Sequence, residues 1–217
     1  AQGWLVGDLN KGMKAMFIMM NGARLMVGVQ GLGIAEIAYQ SSLYYANERL
    51  QGRALNGSKY PNLTADPIIV HPDIRNRLMF SRSIIEAERA LSVWTNMQAD
   101  ISHKHPDKSV RQKADDMVGL MTPIVKAAST DFGSEIANSC LQVFGGHGYI
   151  REYGMEQMVR DVRITQIYEG TNAIQAMDLV GRKLGLDNGR LYKGWLDEVE
   201  ETLIRVSGRN DMSEFAG

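Results

Sequence analysis

An all-α fold, an up-and-down four-helix bundle with short satellite helices, is what this sequence predicts. Apolar residues recur at helical spacing almost throughout the 217 residues, and the alternating β-branched runs that mark strands are missing. The chain breakers gather in one stretch, where Gly52, Gly57, Pro61, Pro67 and Pro72 interrupt the pattern.

Met13, Met16, Phe17 and Met20 follow the i, i+3, i+4, i+7 rule and make a first apolar stripe, which Asn21-Gly22 is expected to interrupt. A second, longer helix is read from about Ala23 to Arg49. Gly28, Gly31 and Gly33 lie inside it, each costing up to ~1 kcal/mol relative to Ala, which suits a site where another helix or a ligand approaches closely. The stretch from Gly52 to Pro72 reads as a long surface loop. Its length marks it as functional or as a subunit contact.

Asp73 begins the next helix, with Ile74, Leu78, Ile85, Leu91, Trp94, Met97 and Ile101 on one face. The polar run from His103 to Lys108 carries Pro106 and is a turn. Ser109 and Gln112 then fit a capping box, and a helix runs to Phe144 with a bend or restart expected at Pro123. Gly145-Gly146 ends it, and residues 145–154 read as a turn region. Short helices follow at about 155–163 and 171–184, and a last amphipathic stretch carries Leu191, Trp195, Val199, Leu203 and Val206 on one face. Three long helices plus a fourth of about thirteen residues imply the bundle.

Composition narrows the function classes. Lys+Arg 24 against Asp+Glu 25 leaves a net charge of −1, which removes the usual electrostatic argument for a nucleic-acid or anionic-membrane partner. The lone cysteine, Cys140, makes no intramolecular disulfide and reads as a small core residue. Charges interrupt every apolar run before it reaches the ~20 residues of a membrane span. The chain opens on Ala1 without a basic-then-apolar leader and closes on a polar tail, residues 210–217, and both ends read as those of a piece of a larger polypeptide.

Generic motifs add little. Gly28 to Gly33 has the wrong spacing and no preceding strand for a dinucleotide loop, so helix packing is the better reading. His103 and His105 have no companion acid or cysteine cluster and read as a solvated turn rather than a metal site. Glu169 stands out as a lone carboxylate between Tyr168 and Gly170, just ahead of a helix start. Two readings apply: a functional acid beside a glycine that lets a ligand come close, or an N-terminal acid serving the helix dipole.

The order of the elements around Glu169 bears on that choice. Gln142-Val143-Phe144-Gly145-Gly146, then Gly148-Tyr149, Arg160-Asp161 and Ile167-Tyr168-Glu169-Gly170-Thr171 together resemble the C-terminal helical domain of flavin-dependent acyl-CoA dehydrogenases. Asn10-Lys11-Gly12-Met13-Lys14, Asn21, Arg24, Tyr45-Ala46 and Glu48-Arg49 agree, so the resemblance covers roughly Gly7 to Leu184. It implies an FAD-dependent oxidoreductase of fatty acid β-oxidation type, which converts an acyl-CoA thioester to the trans-2-enoyl-CoA. Glu169 matches the catalytic base, for which a buried carboxyl with a raised pKa would serve. Arg49 and Gln51 match flavin-side positions. Gln142, Gly145 and Gly146 match positions that touch the adenosine or phosphate part across a subunit boundary, and Thr171 and Asn172 match residues beside the flavin. Asn21, Arg24, Tyr168 and Gly170 fall on the substrate side, with Asn21 replacing the commoner Asp. No metal is implied.

The resemblance further implies an electron-transfer flavoprotein or similar acceptor and a homodimer or homotetramer. Residues 1–9 read as the exit from a missing middle β-domain, 10–184 as the helical bundle, and 185–217 as the start of a truncated C-terminal extension. The stretch Leu50-Gln51-Gly52-Arg53 and the long loop after it depart from the commoner family pattern. They point to the larger branch, with long-chain and methylthiopropanoyl-CoA substrates both open. Without the other domains this piece is expected to be inactive. An acyl-CoA oxidase, or a non-catalytic module for oligomerisation or nucleic-acid binding on the same fold, are the competing readings. A bacterial cytoplasm is the expected location, with the mitochondrial matrix as the alternative.

Overall fold

The computed structural model describes residues 1–207 and residue 209. Its helices are α1 (Gly12–Glu48), α2 (Pro72–Lys104), α3 (Lys108–Phe144), α4 (Gly146–Tyr149), α5 (Met155–Arg163), α6 (Asn172–Asp178) and α7 (Arg190–Ser207). Among the described residues there is no strand, only an isolated bridge between Leu50 and Pro67. The all-α prediction holds. The chain divides into two compact units, one of Ala1–Ser92 with Val125–Asn172 and one of Val93–Ile124 with residues 173 onward.

The first unit is built on a stripe of small residues. Gly28, Gly31, Ala35, Ala38, Ser42 and Ala46 are all buried on α1, spaced three and four apart so that they share a face. A Cβ on Gly31 would lie 2.6 Å from the Ser129 carbonyl oxygen, and one on Gly133 would lie 2.8 Å from the Gly31 carbonyl oxygen. There α1 and α3 meet backbone to backbone. Gly28 faces Val125 and Ser42 Oγ reaches the Cys140 carbonyl at 3.1 Å, so the numbers rise together and the two helices run parallel. Against α2 the numbers run oppositely: Arg82 lies over the Tyr39 ring, Arg89 pairs with Glu36, Ser81 meets Cys140 and Ser129 donates to Glu88. Up, down and up follow from these pairs. Leu32, Tyr39, Leu78, Ile85, Ile136, Val143, Phe144 and Met155 fill the core between them.

Several local readings need correction. Asn21-Gly22 does not interrupt α1. One glycine costs about 1 kcal/mol, and the eleven buried positions from Arg24 onward hold the helix as a unit. The Met13, Met16 and Phe17 stripe is exposed, not buried. By length and composition α1 is apolar enough to cross a membrane. A third of that apolar window is buried inside the protein, and α1 also carries the charged Arg24 and Glu36.

The 52–72 segment is an organised loop. The buried Asp66 carboxylate accepts from the backbone amides of Ala54, Lys59 and Tyr60 and from Ser58 Oγ. Arg53 pairs with Asp66 at 3.3 Å and donates to the carbonyls of Tyr60, Leu63 and Thr64. A single turn of 3-10 helix, Ile68–Val70, closes the loop. The turn region 145–154 contains α4 and a second 3-10 turn, Arg151–Tyr153. On α2 the inner face also carries buried Ser81, Glu88, Ser92 and Thr95, which an apolar count passes over.

In the second unit Asp107 takes the capping role expected of Ser109, accepting the Ser109 amide at 2.7 Å and its hydroxyl at 2.8 Å. Helix α3 does not restart at Pro123 but runs through it. Beside the proline, Thr122 Oγ1 donates back to the Val118 carbonyl at 2.7 Å. The expected helix over 171–184 is α6 followed by a π turn, Leu179–Lys183. On α7 Leu191 is buried, while Met97 of α2 and Leu203 of α7 are exposed, against expectation. His103 and His105 bond within the helix end and the turn, to the Ala99 carbonyl and the Asp107 amide. The tail 210–217 lies outside the described residues.

Candidate functional site

The sequence-predicted site residues all fall in the first unit. They gather in two places, one around Glu169 and one where α1 and α3 end.

Glu169 and Gly170 are both left-handed, with φ of 55° and 85°. For a non-glycine residue that conformation costs about 1–2 kcal/mol and persists only when neighbours hold it. Arg24, almost fully buried on α1, donates from Nε to the Glu169 main-chain carbonyl at 3.2 Å. Tyr168 donates its hydroxyl to Gln30 Oε1, also on α1. Upstream, Gln166 Nε2 donates to Asp131 Oδ1 at 2.6 Å. Downstream, Asn172 opens α6 and donates to the same carboxylate oxygen at 2.7 Å and to Thr130 Oγ1 at 2.9 Å. The turn bearing Glu169 is therefore tied to α1 and α3 on both sides.

Glu169 itself is partly buried, as is Gly170, rather than enclosed. Helix α6 has no acid in its first turn, because Glu169 precedes Asn172 by three residues, which removes the direct helix-dipole reading. Asn21 is exposed one turn before Arg24, and Thr171 is exposed beside Asn172.

Sequence reasoning missed the central residue of this cluster. Among the described residues Lys126 has the largest fully buried side chain, and its Nζ donates to Asn172 Oδ1 at 2.7 Å. Burial pushes its pKa down to about 8; Arg24 lowers it further, while Asp131 and Glu169 oppose the shift. The available signal was a lysine set within the run Pro123-Ile124-Val125-Lys126-Ala127-Ala128, where a charge has no exposed face to occupy.

At the other end, Tyr45 of α1 stacks on Phe144 of α3 with ring centroids 4.1 Å apart and bonds His147 Nδ1 at 2.8 Å. This joins the C-terminus of α1, with exposed Arg49 and Gln51, to the exposed Gly145-Gly146 turn. Ile68 N donates to the Arg49 carbonyl at 2.9 Å and Gln51 N to the Asp66 carbonyl at 3.0 Å, so the organised loop fixes both. Gln142 lines a cleft of about 490 Å³ with Asp73, Asn76, Arg77, Asn138 and Ser139. Arg24 and Arg49 lie 25 residues apart along α1, about 37 Å at 1.5 Å per residue. The two groups therefore stand at opposite ends of the unit.

This architecture and these residues place the chain among known proteins. Residues 10–184 match the family model described as acyl-CoA dehydrogenase, C-terminal domain. The chain belongs to the acyl-CoA dehydrogenase family, of which it carries the C-terminal helical domain. It is 44% identical to the 3-methylmercaptopropionyl-CoA dehydrogenase of Ruegeria pomeroyi, over 93% of this chain and 34% of that protein. Among solved structures it resembles butyryl-CoA dehydrogenase from Megasphaera elsdenii, with a TM-score of 0.66 and 30% identity over 82% of this chain and 40% of that one. A structure of the electron transferring flavoprotein of Acidaminococcus fermentans also resembles it, with a TM-score of 0.67 and 28% identity over 83% of this chain and 41% of that one. The chain spans about a third of the length of the curated relatives it matches.

Proposed function

We propose that this chain is the C-terminal domain of an FAD-dependent acyl-CoA dehydrogenase that forms a trans-2-enoyl-CoA, with Glu169 as the base. The single observation that carries the reading is the clamped, left-handed Glu169-Gly170 turn, held by Arg24 on one side and by Asn172 and Asp131 on the other. Backbone strain paired with a multi-point clamp is how a reacting side chain is held to one geometry. In the proposed step the Glu169 carboxylate takes the proton from the carbon next to the thioester carbonyl, and the hydride leaves the adjacent carbon. FAD, when bound, supplies the two-electron acceptor for that hydride. Asn21, Arg24, Tyr168 and Gly170 are the proposed substrate side, and Thr171 and Asn172 the proposed flavin side of the turn.

The donor set at the opposite end suits the polar part of the same cofactor. Exposed Arg49 offers a planar fork for a pyrophosphate, with Gln51 beside it. The cleft at Gln142 offers amides and a hydroxyl, yet also the carboxylates of Asp73 and Glu135, which suit the uncharged adenosine better than a phosphate. Gly145 and Gly146 leave that rim free of side chains. With the two groups so far apart, each serves a different cofactor molecule, so two copies of the chain would complete one site. That favours a homodimer or homotetramer.

The names of the relatives favour a short acyl chain, 3-methylmercaptopropionyl or butyryl, and an electron-transfer flavoprotein as acceptor. Residues 1–9 and 185–217 are proposed to join a middle β-domain and a C-terminal extension. A bacterial cytoplasm is the proposed compartment.

The test uses the full-length protein that carries this domain, with and without Glu169→Gln, mixed anaerobically with a panel of acyl-CoAs. The oxidised flavin band should bleach in wild type and persist in the variant, with flavin bound in both. Equal bleaching removes Glu169 as base, and absence of flavin binding overturns the enzyme reading.

A further inference from the structure

Lys126 is a charged side chain with no solvent exposure, on a helix whose neighbouring positions Val125, Ser129 and Thr130 are also buried. Burying a cation is costly unless its charge and protons are used. One use is a hydrogen bond: Nζ donates to Asn172 Oδ1 at 2.7 Å. That bond decides the orientation of the Asn172 amide, since a flipped amide would set its NH₂ against the ammonium. With the oxygen on Lys126, the nitrogen is free to donate to Thr130 Oγ1 and Asp131 Oδ1. Asp131 also receives Gln166, so one carboxylate oxygen on α3 ties down residues on both sides of Glu169. Glu169 and Asp131 favour the charged lysine, whereas burial and Arg24 disfavour it. The ammonium therefore lies within electrostatic reach of the proposed base.

We propose that Lys126 is a positioning residue for Glu169: through Asn172 it locks the left-handed Glu169-Gly170 turn to α3. The inference rests on the reading of Glu169 as base for its catalytic consequence, but not for its structural one. Neither Lys126 nor Asp131 need touch substrate. Displacing a reacting group by about 1 Å is enough to cost on the order of 100-fold, and a turn that loses its downstream anchor to α3 gains that freedom.

The test compares full-length holoenzyme with Lys126→Met, which keeps the reach but not the donor, Lys126→Gln, which keeps a donor without charge, and Asn172→Ala. Two readouts are taken: amide hydrogen exchange of the segment 168–172, and the single-turnover rate of flavin bleaching by acyl-CoA with and without deuterium at the carbon next to the thioester carbonyl. The expected result is faster exchange confined to that segment in Lys126→Met and Asn172→Ala. Bleaching should be about 10- to 100-fold slower with a larger isotope effect, substrate Kd should change less than about threefold, and Lys126→Gln should recover part of the loss. The Lys126→Met/Asn172→Ala double variant should lose no more than the worse single one, because the two act as one unit. Unchanged exchange at 168–172, additive losses, or a rate loss that follows substrate Kd alone overturns the proposal. If Lys126→Met does not fold, Lys126→Gln and Asn172→Ala decide by the same criteria. If wild type bleaches with no acyl-CoA, or Glu169→Gln remains active, the functional reading fails, and the exchange data still decide whether Lys126 holds the turn.

Discussion

Arg24 Nε and the Glu169 carbonyl oxygen are 3.2 Å apart, although 145 positions separate them in sequence. The bond joins the helix that opens the first unit to the turn that nearly closes it, and it fastens the backbone of Glu169.

Arg24→Met should loosen that turn without removing the acid. Leaving a partly buried carbonyl without its donor costs about 1 kcal/mol, so urea denaturation of the full-length protein should show a loss of that size. The flavin-bleaching rate should fall more than flavin occupancy. A variant with wild-type rate would show that Arg24 serves stability alone.

Gly31 and Gly33 should respond in opposite directions to alanine. A Cβ on Gly31 would stand 2.6 Å from the Ser129 carbonyl, whereas one on Gly33 meets nothing within 4 Å. Gly33→Ala should stabilise by about 0.4–1 kcal/mol. Gly31→Ala should destabilise by about 1–3 kcal/mol as α1 and α3 are forced apart. Paired thermal melts check both, and a stabilising Gly31→Ala would contradict the backbone-to-backbone packing.

The loop between Gly52 and Pro72 should depend on Asp66 and on acid. Burial alone would raise the Asp66 pKa, but the donors from Ala54, Tyr60, Lys59 and Ser58 outweigh it and hold the carboxyl well below the ordinary range. A carboxyl depressed in the folded state stabilises it above the unfolded pKa of 3.8, and that contribution fades as pH falls through the folded value. Asp66→Ala should speed tryptic cleavage at Arg53 and Lys59 by at least about tenfold at neutral pH. In wild type, peptic cleavage of the loop should accelerate as pH drops below about 4.

Lys126 gives stability the same upward trend with pH, but in the alkaline range. Its pKa is about 8 in the fold against 10.5 unfolded, so between those values the unfolded chain binds more protons and stability rises with pH. The melting temperature of wild type relative to Lys126→Met should therefore climb from pH 8 to pH 10, by on the order of a few °C. A flat difference across that window would mean that Lys126 is not buried as a cation.

Much of this molecule was legible before any coordinates. Helical spacing located α2, α3, α5 and α7 to within a few residues, because an amphipathic helix writes its buried face into the order of its own residues. The ordered motif from Gln142 to Thr171 identified the family and singled out Glu169. The misses share one cause. Asn21-Gly22 looked like a break, and the exposure of the Met13 stripe was not legible, because local pattern does not say what lies across from a residue. Asp66 and Lys126 were overlooked because a lone charge in a sequence reads as surface.

The sequence by itself determined the helical class and the family and singled out Glu169 as the candidate base, all from residue identities and short spacings along one chain. Only the tertiary structure decided which glycines are contact points, that Asp66 organises a loop, and that Lys126, Asn172, Asp131 and Arg24 converge on the turn at Glu169. Those facts depend on burial, and around Glu169 on pairings across more than forty residues. A charge becomes an anchor only once the fold has taken its water away and supplied a partner instead.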